Sequence, residues 1–375
     1  MKIVMVTPFP LDLALIPGGV AGVSLYLVRA LRCIRDVDLE IVVPDSPVDD
    51  EKAVDVDGLR VHYLPVGRRS GAARLFWLTA RRVLDKLSRL RFDLVHVQAL
   101  PNLAARSPDP CVLTLHGVAE LCVRFRGRRL DWFRSKIVRW VERSSLRKVK
   151  NVICISPYQR RFFGSDLRGR TWDVENPIAD GFFDLRCRPV PGRIFCGGQV
   201  TPLKNIVGLI RAFSQVAGSR PDAELHVAGS GEDTPYGALC RKLIGELGLD
   251  GRVRFLGRLT VEQMQAELAS AWVLALCSFQ ETAPLVISEA MAVGVPVVAS
   301  NICGIAFMVT DGVTGKLVDP SDPGDIARGL GAILDCPDRE AMSAAARKQA
   351  DDRFRGSRVA QRVVEVYSAV LAGGP

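Results

Sequence analysis

Two glutamates, Glu281 and Glu289, lie eight residues apart within the segment Cys277–Ser300. Glu281 follows an apolar, strand-like run, and Pro284 suits the first turn of a helix that continues through Glu289. The N-terminus of such a helix offers unpaired N–H groups to a phosphate or to sugar hydroxyls. Carboxylates accept hydrogen bonds from vicinal hydroxyls. The pattern therefore fits a sugar-nucleotide site, with one glutamate on the sugar and the other on the ribose. A helix whose glutamates simply face water is the alternative.

Lys204 lies eight residues after Cys196, where a strand pattern gives way to a helix pattern. An ammonium group in that position can neutralise a diphosphate as a point charge, and a lysine that faces solvent is the alternative. Gly18 and Gly19 likewise separate the first strand pattern from a helix pattern. Residues without a Cβ let backbone N–H groups approach a ligand closely, although a plain flexible turn explains the pair equally.

One of the four histidines stands out by its position. His116 ends the apolar run LTLHG, at the predicted carboxyl end of a strand, which is where a parallel sheet binds ligands. His62, His96 and His226 lie inside strand patterns, and we interpret them as structural.

Short apolar runs alternate with helical patterns along most of the chain. The predicted strands are Lys2–Thr7, Leu39–Val43, Arg60–Leu64, Asp93–Val97, Cys111–Leu115, Asn151–Ile155, Arg193–Cys196, Glu224–Ala228, Val253–Leu256, Trp272–Leu276, Val295–Ala299 and Lys316–Val318. Strand–helix alternation predicts parallel sheets covered on both faces, and the number of strands indicates two of them. We expect an α/β protein with two doubly wound, Rossmann-like domains that face each other across a cleft.

Proline and glycine cluster in Asn176–Gly192, which is the predicted linker. We expect an N-terminal domain over residues 1–185, a C-terminal domain over residues 186–356 and a final helix over residues 357–375. Apolar residues recur at helical spacing in that last segment, so the helix needs a partner surface. We expect it to pack back on the N-terminal domain.

The composition, with 48% apolar and 24% charged residues among 375, excludes a disordered chain. No apolar run approaches the roughly 18–20 residues that span a bilayer, and no signal-peptide pattern opens the sequence. The ten cysteines form no CxxC pair, and four of them lie inside apolar runs, as buried thiols do. We therefore expect a cytoplasmic protein that holds no metal.

The formal net charge of +9 arises entirely in the first half of the chain. Up to Cys187 there are 31 Lys and Arg against 21 Asp and Glu, and the excess is concentrated in Arg68–Arg91 and Arg124–Lys150. Such asymmetry indicates that this half meets a polyanion or an anionic surface.

Aromatic residues accompany the second basic stretch at Trp132, Phe133 and Trp140, and the helix pattern Leu75–Leu90 has an apolar face beside a basic one. Both features suit peripheral docking on the inner leaflet of an anionic membrane. An acidic acceptor, or a basic face that is merely solvated, is the alternative. The basic stretches lack the aromatic interleaving of a base-stacking surface, which argues against a nucleic-acid partner.

The E-x7-E pair and the following AMAVGVPVVAS resemble the retaining glycosyltransferases of the GT-B fold, family 4, also called glycosyltransferase group 1. Other segments are similar to the family in the same order: TPFP with PGGVAGVSLYLVRAL, FDLVHVQ, LTLHG, ISPYQRRFF, VENPI, CGGQVTPLKN, VAGSGED, VRFLGRL and DGVTGKLVDP. The resemblance covers nearly the whole chain and is more specific in the C-terminal half.

The resemblance implies that the N-terminal domain binds the acceptor and the C-terminal domain binds a nucleotide-diphosphate sugar. It implies catalytic roles for His116, Glu281 and Lys204. The residues implied in donor binding are Gly18, Gly19, Gln199, Lys204, Thr282, Ala283, Leu285 and Glu289. Most family members have Arg where this chain has Gln199, so the phosphate clamp loses a charge-assisted hydrogen bond.

The family also implies a front-side reaction, in which the leaving diphosphate takes the proton of the acceptor. Positioning and electrostatics then carry the catalysis, with Lys204 and helix dipoles in place of a metal. The expected enzyme moves a hexose-type sugar to a glycan, a lipid-linked acceptor or a small natural product. A sugar-nucleotide epimerase or hydrolase on the same fold, and a non-catalytic nucleotide-sugar-binding protein, are the alternatives.

Overall fold

The computed structural model describes residues 1–11, 19–65, 72–124 and 131–373. The chain forms two compact units, which are Met1–Pro177 with Gly356–Pro375, and Ile178–Arg355. The chain leaves the first unit within the predicted linker, some residues before the expected boundary between 185 and 186. Each unit is an α/β domain built on one sheet.

Among the residues that the structure describes, the sheet of the first unit has eight strands. They are β1 (Lys2–Val6), β2 (Asp38–Ser46), β3 (Lys52–Val56), β4 (Leu59–Pro65), β5 (Leu94–Gln98), β6 (Cys111–Leu115), β7 (Asn151–Cys154) and β8 (Arg170–Asp173). The helices are α1 (Gly19–Arg32), α2 (Ala72–Leu87), α3 (Pro101–Ala104), α4 (Ala119–Arg124), α5 (Asp131–Leu146), α6 (Pro157–Phe163) and, from the end of the chain, α13 (Gly356–Ala372). The strand order is β3-β4-β2-β1-β5-β6-β7-β8, and every neighbouring pair is parallel except β3 with β4.

The central strands of this sheet are apolar on both sides because helices cover both faces. β5, β6 and β7 are buried along their whole length. The strands β3 and β8, by contrast, are largely exposed edges, and the sequence analysis predicts neither of them. Their residues are too polar to form the apolar run that marks a buried strand.

The last helix, α13, packs against α1 within the first unit. It buries the apolar side of its helical repeat, from Val359 through Val363 and Val366 to Val370, together with Tyr367. The partner surface that this stripe requires is therefore supplied by residues from the start of the chain.

The second unit has a six-stranded sheet that is parallel throughout. Its strands are β9 (Arg193–Gly197), β10 (Glu224–Ala228), β11 (Val253–Gly257), β12 (Val273–Leu276), β13 (Val297–Ser300) and β14 (Gly315–Val318). Its helices are α7 (Ile206–Ser219), α8 (Pro235–Glu246), α9 (Val261–Ser270), α10 (Leu285–Val293), α11 (Pro323–Leu334) and α12 (Arg339–Phe354). An apolar core lies on each face of the sheet.

The strand order in the second unit is β11-β10-β9-β12-β13-β14. From β9 the chain adds β10 and then β11 on one side. It then crosses to the other side of β9, where it adds β12, β13 and β14. Loops that leave the carboxyl ends of β9 and β12 diverge, and a doubly wound sheet binds its ligand in the crevice between them. The segments that carry Lys204 and Glu281 are these two loops.

Candidate functional site

Close backbone packing shapes the crevice at the carboxyl edge of the second unit. Gly229, just after β10, has a φ of +141°, and a Cβ there would lie 2.1 Å from the carbonyl oxygen of Gly198. The N–H of Gly198 in turn donates to the carbonyl of Ala228 at 2.8 Å. The loop after β9 therefore lies directly on the loop after β10, and only glycine fits at position 229.

Lys204 ends a short 3-10 turn, Pro202–Lys204, that leads into α7. The next residue, Asn205, has a φ of 55°, and its side-chain amide donates to the carbonyls of Cys277 at 3.1 Å and Pro320 at 2.6 Å. Asn205 thereby joins the loops that follow β9, β12 and β14. Because Asn205 is buried and fixed in this way, its neighbour Lys204 is held at the crevice.

Lys204 and Glu281 form an ion pair in which Lys204 Nζ donates to Glu281 Oε1. Each of the two side chains is 17% exposed, so both remain accessible from the crevice. The loop of Glu281 is held from behind by Gly304, whose N–H donates to the carbonyl of Glu281 at 2.9 Å. A Cβ at position 304 would lie 1.7 Å from the carbonyl oxygen of Thr282, so the loop requires glycine there.

The residues after Glu281 lead into α10. Thr282 is buried, while Ala283 and Leu285 are partly exposed. Pro284 occupies the position before the helix and makes no side-chain capping hydrogen bond. The N–H of Ile287 donates to the carbonyl of Pro284 at 3.2 Å, and the N–H groups of Leu285 and Val286, with the positive end of the helix dipole, are available to an anion in the crevice.

Glu289 lies in the second turn of α10 and keeps part of its side chain exposed. Even so, the surrounding protein removes enough of its hydration to raise the pKa of the carboxyl to about 7. In the described part of the chain, Glu289 has no hydrogen-bond or ion-pair partner, so it stands outside the Lys204–Glu281 ion pair. The arrangement is costly for a charged carboxylate unless a ligand supplies donors.

Two of the predicted donor-binding residues, Gln199 and Gly19, make few contacts. The side chain of Gln199 is exposed and forms no hydrogen bond within the described ranges. Gly19 opens α1 and is also exposed, and a Cβ there would meet nothing within 4 Å. Gly18 lies outside the described residues.

His116 follows β6 in the first unit, and its Nε2 lies 2.5 Å from Oε1 of Gln98 at the end of β5. Gln98 is completely buried, whereas His116 is partly exposed. Burial lowers the pKa of His116 to about 4, because desolvation disfavours the imidazolium. His116 is therefore neutral at physiological pH.

An exposed aromatic face covers one side of α5. Trp132, Phe133, Ile137 and Trp140 are 61%, 53%, 50% and 72% exposed, and helical spacing places all four on the same side. The ammonium group of Lys136 lies 4.7 Å from the centre of the Trp132 ring. Neighbouring exposed apolar side chains of this kind are typical of interaction surfaces.

Several cations of the basic stretch Arg124–Lys150 are already paired with carboxylates. Arg143 and Arg147 donate to Asp166 at 2.6 and 2.7 Å, and Lys150 donates to Asp109 at 2.5 Å. The charge excess available to an anionic partner is therefore smaller than the sequence suggests. For the other basic stretch, the structure places α2 at Ala72–Leu87, and the side chains before Thr79 lie outside the described residues.

Within the described ranges, no group of three His, Cys, Asp or Glu side chains is placed to hold a metal ion. Across the same residues, none of the helices has the length and apolar character needed to cross a bilayer.

The residues that support the site were not predicted from the sequence. Asn205 and Gly304 lie within or near the quoted motifs, yet their roles depend on contacts between loops that are distant in sequence. Gln98 had one visible signal, since it is a polar residue that ends the apolar run of β5.

Two family models match the chain. One is described as Glycosyltransferase Family 4 and matches residues 17–173, and the other is described as Glycosyl transferases group 1 and matches residues 188–349. Phosphatidyl-myo-inositol mannosyltransferase of Mycolicibacterium smegmatis is 26% identical over 388 residues, which cover 100% of this chain and 95% of that protein. D-inositol 3-phosphate glycosyltransferase of Streptomyces scabiei is 35% identical over 182 residues, which cover 46% of this chain and 40% of that protein.

Solved structures share the architecture. Sucrose-phosphate synthase from Thermosynechococcus elongatus aligns with a TM-score of 0.78 and 21% identity, over 100% of both chains. HepE from Anabaena, solved with UDP and glucose, aligns with a TM-score of 0.73 and 20% identity, over 98% of this chain and 100% of HepE. With two parallel-sheet α/β domains and two family models that between them match most of its length, this chain belongs to the GT-B glycosyltransferases of family 4.

Proposed function

We propose that this glycosyltransferase moves a hexose from a nucleoside diphosphate sugar to a hydroxyl of a lipid-linked acceptor, with retention of the anomeric configuration and without a metal. The observation that carries the proposal is the Lys204–Glu281 pair, which lies where the strand order of the second unit reverses and beside the uncapped N-terminus of α10. This crevice combines a cation, a carboxylate and free N–H groups. A diphosphate and a sugar require these same three groups.

The bound diphosphate replaces Glu281 as the partner of Lys204. Its negative charge attracts the ammonium group more strongly than a single carboxylate does, and the N-terminus of α10 adds to the attraction. Glu281 then loses its cation and is free to accept hydrogen bonds from sugar hydroxyls. Glu289, which has no partner among the described residues, accepts hydrogen bonds from the two hydroxyls of the ribose.

In the proposed reaction, the bond between the anomeric carbon and the phosphate oxygen breaks, and the diphosphate leaves with the electron pair. The diphosphate accepts the proton of the acceptor hydroxyl, whose oxygen bonds to the anomeric carbon on the face that the diphosphate left. Lys204 and the N–H groups of α10 stabilise the charge that develops on the leaving group. These protein groups supply the positive charge that a metal would otherwise provide.

The exposed aromatic face of α5 supports a membrane-bound acceptor. Trp132 and Trp140 suit the interfacial region of a bilayer, and Lys136, which carries no carboxylate partner in the described structure, adds attraction to anionic lipid. The relative from M. smegmatis is named a phosphatidyl-myo-inositol mannosyltransferase. We therefore propose mannose as the first hexose to test, phosphatidylinositol as the first acceptor, and the inner leaflet of the cytoplasmic membrane as the place of action.

Proton NMR of the early product tests the proposal. The purified protein is incubated with GDP-mannose or UDP-glucose and with vesicles that contain phosphatidylinositol, both with and without EDTA. We expect a glycolipid whose anomeric proton shows the same α configuration as the donor, at a rate that EDTA does not change. A β product would contradict the front-side mechanism, and inhibition by EDTA that added Mg²⁺ reverses would contradict metal independence.

Two alternative functions give different results in the same assay. A sugar-nucleotide epimerase or hydrolase consumes the donor when no acceptor is present. A non-catalytic nucleotide-sugar-binding protein shows a thermal shift with the donor but no turnover under any condition. A ligand at a concentration of about 100 times its dissociation constant raises the free energy of unfolding by about 2.7 kcal/mol, so the thermal shift is measurable.

A further inference from the structure

One face of the sheet in the first unit carries a buried row of polar side chains. His96 and Gln98 are two residues apart on β5 and share a face, and Thr114 lies beside Gln98 on β6. The three side chains are 0%, 0% and 5% exposed, respectively. The opposite face of the same strands is an apolar core that contains Val95 and Val97. Polar groups this deeply buried require partners.

The row forms a continuous hydrogen-bonded chain from α13 to His116. Tyr367 Oη lies 2.6 Å from His96 Nδ1, and Gln98 Nε2 lies 3.2 Å from His96 Nε2. Thr114 Oγ1 lies 2.7 Å from the same nitrogen of His96. Gln98 Oε1 completes the chain at 2.5 Å from His116 Nε2.

The orientation of the Gln98 amide orders the protons in this chain. An amide nitrogen only donates and an amide oxygen only accepts, whereas a hydroxyl does either. With the amide oriented as in the structure, His96 Nε2 accepts from Gln98 and from the hydroxyl of Thr114, so His96 carries its proton on Nδ1 and donates it to Tyr367. His116 Nε2 must donate to the oxygen of Gln98. Since burial lowers the pKa of His96 to about 3 and that of His116 to about 4, each ring carries one proton only.

The remaining nitrogen of His116, Nδ1, then bears a lone pair. It has no hydrogen-bond partner within the described residues, and His116 is partly exposed, so this nitrogen is the one available to a ligand. If the hydrogen bonds ran in the opposite direction, the free nitrogen of His116 would be a donor rather than an acceptor. If Tyr367 donated to His96, His96 Nε2 would carry the proton, the amide of Gln98 would turn over, and His116 would present an N–H.

We propose that Tyr367 and His96 are positioning residues that act through Gln98 to hold His116 in the tautomer with its proton on Nε2, so that Nδ1 accepts a hydrogen bond from a substrate hydroxyl. The proposal deepens the proposed function and rests on it for the identity of the substrate. It also sets a specificity, because a neutral acceptor nitrogen binds a sugar hydroxyl and repels the carboxylate of a uronic acid.

Tyr367 and His96 act through His116 rather than on the substrate. Both are fully buried, and their rings meet edge to face with centroids 5.5 Å apart. The cavity beside Gln98 and His116 has a volume of about 10 Å³, which admits one water molecule at most. Apolar side chains of α1 and α13, among them Leu27 and Val363, line it. No sugar reaches Tyr367.

Nitrogen-15 NMR of the imidazole rings in the full-length protein tests the tautomer directly. The chain has only four histidines, so His116→Gln and His96→Gln assign the two signals. We expect His116 of the unchanged protein to be protonated on Nε2 alone. In Tyr367→Phe the acceptor for His96 is lost, so we expect the Nδ1-protonated form of His116 to appear.

Tyr63→Phe is the matched control. Tyr63 is also a buried tyrosine of the first unit, 1% exposed, and its Oη donates to the carbonyl of Pro10 at 3.0 Å. It does not contact the chain from Tyr367 to His116, so the control keeps the single tautomer. Gln98→Met is the second variant, which removes the amide and leaves Tyr367 in place. We expect it to mix the two tautomers as well.

Three results would overturn the proposal: a proton on Nδ1 in the unchanged protein, a tautomer that survives both Tyr367→Phe and Gln98→Met, or a mixture in Tyr63→Phe as well. The NMR readout needs no donor or acceptor, so it stands apart from failure of the proposed function. With an active donor, the KM of Tyr367→Phe for the donor rises as the fraction of His116 in the correct tautomer falls, about twofold for an equal mixture. The kcat at saturating donor stays unchanged, because the bound donor selects the correct tautomer, and a fall in kcat alone would point to loosened structure instead.

Discussion

Glu289 makes the stability of the free protein depend on pH. Burial raises the pKa of this carboxyl from 4.5 to about 7. Between these two values the folded protein binds more protons than the unfolded chain, so the free energy of unfolding falls as the pH rises through this window. Below it, Glu289 is protonated in both states and costs nothing. Above it, the full cost of the buried charge is present.

The magnitude follows from the size of the shift. One pKa unit corresponds to about 1.36 kcal/mol, so the shift to about 7 is worth about 3 kcal/mol. Part of the Glu289 side chain remains exposed, which makes this figure an upper bound. Glu289→Gln removes the charge and keeps the shape. We expect the variant to gain little at about pH 4.5 and as much as about 3 kcal/mol at about pH 8.

Urea unfolding followed by circular dichroism, from about pH 4.5 to about pH 8.5, measures the difference between the two proteins. Glu246→Gln, the same substitution at an exposed position of α8, controls for the change itself. A difference between Glu289→Gln and the unchanged protein that stays constant over this range would refute the assignment of a raised pKa to Glu289.

The substitution that raises the stability of the free protein should lower its affinity for the nucleotide sugar. Ribose hydroxyls donate to the charged carboxylate, and hydrogen bonds to a charged group are worth about 1.5–3 kcal/mol. Glu289→Gln should therefore bind the donor about 10- to 150-fold more weakly while it unfolds less readily. Titration calorimetry with the nucleotide sugar measures this loss. Equal affinity in the two proteins would remove Glu289 from the ribose site.

Two further predictions concern the phosphate clamp and the membrane. Gln199→Arg should tighten the binding of free nucleoside diphosphate, because an arginine in the clamp donates charge-assisted hydrogen bonds; an unchanged product-inhibition constant would place Gln199 outside the clamp. The double variant Trp132→Ala/Trp140→Ala should lose sedimentation with anionic vesicles at low salt, whereas Leu239→Ala, at a 51% exposed position on α8, should not. If neither the unchanged protein nor Leu239→Ala sediments at low salt, the face of α5 does not dock on lipid.

The buried strands were predictable because parallel sheets covered on both faces require apolar runs. β6 and β10 begin and end at the predicted residues. The exposed edges β3 and β8 could not be found in the same way, because water satisfies one side of an edge strand and its residues need not be apolar. The GT-B fold was recognised through motifs at the carboxyl ends of strands, where backbone geometry restricts the residue types.

The candidate site was predictable in part. The loops that carry Lys204 and Glu281 both follow strands, so their approach follows from the reversal of strand order at β9 and β12. His96 was predicted to be a structural residue. The sequence does not indicate that its hydrogen-bond partner is Tyr367, which lies 271 residues further along the chain. Hydrogen-bonded chains of this kind produce no periodic pattern in the sequence. The residue type at each position depends on one partner in space rather than on the repeat of a helix or strand.

The position of α13 imposes an order on the folding of the chain during synthesis. The first unit needs Gly356–Pro375, but the whole of Ile178–Arg355 is translated before that segment. At about 5–20 residues per second, the delay is about 9–36 s. For that time, α1 and the polar row on β5 and β6 lack α13, while the second unit is continuous in sequence and can fold first. Tyr367 is therefore the last member of the proposed hydrogen-bonded chain to be made.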